Sequence, residues 1–264
     1  MIIHHLRNAT FVIESRENFI LADPMLSPKG ALPAYTRLKH RARRNPLVEL
    51  PDNAGSILEQ VNFCLVTHSR KWGIKALTHT DHLDAEGIAF LKGRNIPVAC
   101  PAGDASFMKK NGIEVGAAPG AWQTLAFAGG NITAVPACHG HGWIRWFMAN
   151  GAGFFLELPG EPSIYISGDT VFTEDVEQAL TELKPDVAVV AAGGAGLDAG
   201  GPILMPVEEI LKFVRMAPGR VIANHLEALN HCPITRAGLR SELEKQGLAA
   251  KVLIPSDGES LDVN

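Results

Sequence analysis

Seven of the chain's ten histidines fall in three short windows, and each window follows directly on an apolar, strand-like run. The first is Val66-Thr67-His68-Ser69, continued by His79-Thr80-Asp81-His82-Leu83-Asp84. The second is Pro136-Ala137-Cys138-His139-Gly140-His141, and the third is Asn224-His225-Leu226-Glu227-Ala228-Leu229-Asn230-His231. Between the last two, the apolar run ending in Ile166-Ser167-Gly168-Asp169-Thr170 closes on a Gly-Asp pair. Polar groups placed repeatedly at strand ends restrict the topology, because loops from several strands can build one site only if those ends share an edge.

The rest of the chain supplies such strands. Ile2 to His5, Thr10 to Glu14 and Asn18 to Ala22 read as an antiparallel meander. Pro24 to Asn53 is rich in Pro, Gly and Arg without periodicity, a long loop expected to cover something. Strand-like Val61 to Val66 and Pro97 to Cys100 alternate with helical Asp84 to Leu91 and Asp104 to Lys110. A second set follows in the same style. Hairpins are expected from Trp122 to Val135 around Gly129-Gly130, and from Gly153 to Ser167 around Gly160. After them come helix Val171 to Leu183, strand Val187 to Ala191, helix Pro206 to Arg215, strand Arg220 to Ala223 and helix Thr235 to Gln246. Two halves of strands first and helices later predict an αββα sandwich, two mixed β-sheets flanked by helices, as one domain over residues 1–264.

Composition excludes several classes. With 264 residues, 46% of them hydrophobic, the chain can bury a core without staples. A balance of 24 Lys+Arg against 28 Asp+Glu carries no global footprint for nucleic acid or membrane. Cys64, Cys100, Cys138 and Cys232 show no paired spacing and are expected as reduced thiols. Met1 to Arg7 has no long apolar run, and no stretch approaches a membrane span, so a soluble cytoplasmic chain is expected.

Imidazole and carboxylate side chains are the usual ligands of zinc, iron and manganese. A metal-bound water loses a proton near neutral pH, so no serine or cysteine nucleophile is needed. In order and type, these windows resemble the metallo-β-lactamase superfamily, whose pattern is HxHxDH, a lone His after a strand, a Gly-Asp carboxylate and a final His. Within it the chain is most similar to ascorbate-6-phosphate lactonase-like metal-dependent hydrolases, and the likeness runs from Leu21-Ala22-Asp23-Pro24 to His225. Leu77 stands where a strict HxHxDH has its first His, so His68 is taken as that ligand, with residues 70–78 inserted after it. The resemblance implies His68, His79 and His139 on one metal, Asp81, His82 and His225 on a second, and Asp169 between them. Asp81 would also orient the attacking water. One or two Zn2+ or Mn2+ ions are implied, with iron as the alternative. The implied activity is hydrolysis of a small, anionic lactone, ester or phosphoester by a homo-oligomer. The rivals are an iron-dependent oxygenase on the same fold and a non-catalytic metal-binding protein with a degenerate first motif.

Other residues have two readings each. His231 and Glu227 form an H-x-E-x3-H pattern with His225; His231 is assigned a catalytic role, against capping or surface positions for the pair. His141 faces the substrate or an exposed turn. Asp23 hydrogen-bonds a ligand histidine or simply makes an Asp-Pro turn. Asp198 shapes a pocket rim from a Gly-rich loop. The run Arg37 to Arg44, with five Lys/Arg in eight residues, docks an anion or is a solvated loop. Trp143 and Trp146 wall the pocket or pack in the core.

Overall fold

Three strands open the chain, β1 (Ile2–Arg7), β2 (Thr10–Ser15) and β3 (Asn18–Ala22), and both faces of this meander are apolar. Phe11 and Ile13 of β2 point to one core while Val12 between them points to another, the period-two alternation of a strand covered on both sides. The tight turns at residues 8–9 and 16–17 place Asn8 and Arg16 at φ 54°. The computed structural model describes residues 1–69, 80–148 and 151–264.

The first sheet continues through β4 (Phe63–Leu65), β5 (Val98–Ala99) and β6 (Val115–Ala117), parallel from β3 onward. The second holds β7 (Thr124–Phe127), β8 (Gly130–Pro136), β9 (Ala152–Glu157), β10 (Ile164–Ile166), β11 (Val187–Ala191), β12 (Arg220–Asn224) and β13 (Val252–Leu253), parallel from β10 onward. Chain-terminal β14 (Ser260–Asp262) returns to pair with β1, giving the order β14-β1-β2-β3-β4-β5-β6 against β13-β12-β11-β10-β9-β8-β7.

Between the sheets lie Ile3, Phe11, Ile13 and Ile20 on one side and Phe154, Leu156, Ile166 and Val189 on the other. Outside the first sheet pack α1 (Ala54–Leu58), α2 (Ala85–Gly93) and α3 (Ala105–Lys110); outside the second pack α4 (Glu174–Gln178), α5 (Val207–Met216) and α6 (Arg236–Lys245). This is the αββα sandwich expected from the element order.

Three local differences have physical causes. The helix expected from Val171 begins only at Glu174, with Thr173 as its cap. Val171 N–H and Phe172 N–H are instead given to Cys138 O and the Glu209 carboxylate. Its end, residues 179–183, widens into a π turn. The strand expected from Trp122 starts at Thr124, since Trp122 sits at φ 57° with its indole N–H on Asp175. β6, β13 and β14 were not foreseen; two or three residues at a sheet edge carry almost no periodic signal.

The long loop 24–53 is held from beneath. Arg7, fully buried, donates to the carbonyls of Met25, Ser27 and Val48, and Asp84 accepts from Ser27 N–H.

Candidate metal centre

β8, β10, β11 and β12 run in one direction, as do β3 and β4, and the loops leaving their C-terminal ends meet at one edge. Asp23 lies one residue past β3 and His225 one past β12; His68, His139 and Asp169 each lie three past β4, β8 and β10. Asp81 and His82 arrive from the other direction, just before Asp84, whose side chain caps α2 by accepting Gly87 N–H.

Two groups of ligand-type atoms result. Asp81, His82, Asp169 and His225 offer atoms within 4.8 Å of one another, and so do His68, His139 and Asp169. Asp169 belongs to both. His82 Nε2 is 3.2 Å from Asp169 Oδ1, while His139 Nε2 and His225 Nε2 are 3.5 and 3.6 Å from Oδ2. Tetrahedral donors at ~2.0–2.1 Å from an ion stand about 3.3–3.4 Å apart, so these separations suit a small divalent cation. His82 Nε2, His225 Nε2 and Asp169 Oδ1 are buried without a hydrogen bond, although buried polar atoms are normally satisfied. Three such atoms facing one another fit a cation held among them.

The outer nitrogens of the rings are held from behind, as metal-binding imidazoles require. His82 Nδ1 meets Asp23 Oδ2 at 2.9 Å; His139 Nδ1 meets Ile203 O at 2.8 Å; His68 Nδ1 lies 3.1 Å from Thr67 Oγ1. Asp23 also accepts from Thr67 N–H and Oγ1–H, tying β3 to the loop of His68. His225 Nδ1 faces Cys232 Sγ at 3.5 Å.

The electrostatics favour positive charge. Burial alone would push His82 down, yet Asp169 and Asp23 raise its pKa well above the usual imidazole value. Asp169 is held well below the usual carboxylate range because His82, His225 and His139 outweigh its burial. Burial lowers His139 despite Asp169, and brings His231 down to about 4, so His231 is neutral at pH 7. Burial raises the Cys232 thiol well above its usual range.

His231 stands beside the two groups, its ring 6.4 Å from that of His225 and edge-on to Tyr35 at 5.1 Å. Tyr35, on the long loop, hydrogen-bonds Thr80 Oγ1. Met25, Ile144, Ile203, Leu204 and Leu229 join Tyr35 and Cys232 in an apolar cluster drawn from the loops around the site.

His79 and the 70–78 insertion lie outside the described residues. His141 is not brought to the ligand groups: it is half-exposed and binds Glu209 of α5 at 2.6 Å. Glu227 pairs with Arg236. Trp143 and Trp146 are exposed rather than core. Asp198 holds the basic loop by its backbone, accepting from Thr36 Oγ1–H and from the N–H groups of Arg37, Leu38 and Lys39; these bonds depress its pKa. Asn8, Thr67, Tyr35 and Cys232 were missed by the sequence reading. Asn8, Thr67 and Tyr35 act on partners distant in sequence, Asn8 donating to the Asp81 carbonyl, Thr67 to Asp23 and Tyr35 meeting Thr80, while Cys232 is adjacent to His231 and seven residues from His225 without forming a spaced motif with them.

The family model described as Beta-lactamase superfamily domain matches residues 18–226. The UPF0173 protein YddR of Bacillus subtilis is 31% identical over 98% of this chain and 99% of its own. A UPF0173 metal-dependent hydrolase of Pyrococcus abyssi is 29% identical over 99% of both chains. The crystal structure of the isothiocyanate hydrolase from Delia radicum gut bacteria superposes with a TM-score of 0.85 at 29% identity, over 99% of each chain.

Proposed function

The chain belongs to the beta-lactamase superfamily and, within it, to the UPF0173 family, and from that premise we propose a metal-dependent hydrolase that adds water to an electrophilic carbon of a small molecule. The observation that carries the reading is Asp169, whose carboxylate is common to both ligand groups. His68, His79, His139 and Asp169 would hold one ion, and Asp81, His82, His225 and Asp169 the other. When bound, divalent zinc or manganese lowers the pKa of water and polarises the electrophile.

The remaining chemistry belongs to the side chains. Asp81, whose Oδ2 lies 3.9 Å from His225 Nε2, orients the attacking water and receives its proton. His231 supplies a neutral imidazole beside the reacting atom. Asp23 and Ile203 O keep His82 and His139 from rotating. The apolar loop cluster shields the reacting atom from bulk water.

Lactone and ester carbonyls fit this arrangement. The isothiocyanate carbon is the second reading, supported by the full-length likeness to an isothiocyanate hydrolase and by the apolar loop cluster.

The test is metal content by plasma mass spectrometry on untagged protein, with turnover of a lactone, an ester and an isothiocyanate. Two zinc or manganese ions are expected, one in His68→Ala and none in Asp169→Ala, with hydrolysis lost in the latter. Iron alone would turn the reading to an oxygenase, and no metal after reconstitution would overturn it.

A further inference from the structure

Cys232 lies between two imidazoles. Its Sγ is 3.5 Å from His225 Nδ1 and 3.9 Å from His231 Nδ1, and the side chain is buried. The turn in which Cys232 N–H bonds Leu229 O carries the thiol to this place, and the site is shaped to admit it. A Cβ at Gly193, just past β11, would stand 3.0 Å from both Cys232 Cβ and Sγ and 2.3 Å from His225 O. Only a residue without a side chain leaves room there for the thiol and for the backbone of His225.

The direction of the hydrogen bonds follows from valence. This step rests on the reading in which His225 is a ligand through Nε2. A neutral imidazole bound through one nitrogen carries its proton on the other, so His225 Nδ1–H donates, and the acceptor facing it is Sγ. A thiol has one proton of its own to give. The other ring nitrogen within its reach is His231 Nδ1, whose lone pair is the acceptor that leaves the thiol proton satisfied.

We propose that Cys232 is a positioning residue that passes the orientation of His225 to His231 and fixes His231 as the tautomer with its proton on Nε2. His231 therefore meets the substrate as a hydrogen-bond donor and not as a base. Its role is to stabilise negative charge developing on the attacked group, while Asp81 remains the proton acceptor. Thr67 Oγ1 also lies between two rings, 3.1 Å from His68 Nδ1 and 3.3 Å from His82 Nδ1, but both of those rings belong to the ligand groups, whereas Cys232 joins a ligand-group ring to one outside them.

The proposal is tested by long-range 15N–1H correlation spectra of zinc-loaded protein labelled at histidine, with His231→Gln assigning the resonance and mass spectrometry counting the zinc. Wild type is expected to show His231 with the Nε2–H pattern alone. Cys232→Ala should bind the same number of zinc ions but show loss of that single pattern in favour of a tautomer mixture, and Cys232→Ser should restore it. An Nδ1–H pattern in the wild type, or an unchanged pattern in Cys232→Ala, overturns the tautomer assignment while leaving the metal site standing. A wild-type chain that takes up no zinc overturns the metal reading, and this inference with it.

Discussion

Asp23 and Asp169 are both buried carboxylates, but they act on opposite sides of His82. Asp169 faces Nε2 inside the site, whereas Asp23 takes the outer Nδ1 and, through Thr67, the loop of His68. Asp23 sits at φ 45°, a conformation asparagine tolerates, so Asp23→Asn keeps the backbone and removes the anionic acceptor. That substitution is expected to weaken metal binding about 10- to 100-fold, the usual effect of losing a ligand's outer partner, as read by competition against a chromophoric chelator. The sequence raised Asp23 as such a partner and left the turn reading open, because 59 residues separate it from His82.

The loop of His68 and the first residues of β9 are built against each other. Ala152 N–H bonds Thr67 O, and a Cβ on Gly151 would lie 2.3 Å from that oxygen and 2.4 Å from His68 Cβ. Gly151→Ala should therefore cost about 1–3 kcal/mol in urea unfolding and lower metal uptake through His68. Gly55 in α1 has open space at its Cβ, so Gly55→Ala should stabilise by about 0.5–1 kcal/mol and leave metal content unchanged. Elements whose pattern spans five or more residues, such as β1, β8, β11 and α5, were legible because alternation or helical spacing repeats within them. The π turn after α4 and the late start of that helix were not, because the groups deciding them, Cys138 O and Glu209, are distant in sequence. His68, His139, Asp169 and His225 were legible because they follow apolar strands, and Asp81 and His82 because they stand in a spaced His/Asp motif. Cys232 and Tyr35 belong to no motif: folding alone brings Tyr35 to His231, and Cys232, next to His231 in sequence, meets His225 only through its turn.

For the whole molecule, an ion held by ligand-type residues from both sheets would make stability depend on its binding. Zinc at a hundred times its Kd should raise the unfolding free energy by about 2.7 kcal/mol, provided the unfolded chain does not bind it, as measured by melts with and without chelator. Acid acts elsewhere as well. Burial would raise Asp257, but hydrogen bonding to His5 and the charge of Arg236 hold its pKa below the usual value. A carboxylate lowered in the folded state stabilises fully above its unfolded value, about 3.9, and that contribution is lost as pH falls toward the folded one. The fall in urea midpoint between pH 7 and pH 3 should accordingly be smaller in Asp257→Asn than in the wild type. Among the described residues no helix is long and apolar enough to cross a membrane.

The seam between the sheets has a consequence in time. His68, Asp81 and His82 belong to the layer of β1–β6, and His139, Asp169 and His225 to that of β7–β13, so neither layer alone contains either complete ligand group. A growing chain reaches residue 82 long before residue 225 exists. High-affinity capture of an ion by these groups would then wait until the second layer has docked, so that metal uptake would time the docking of the two layers.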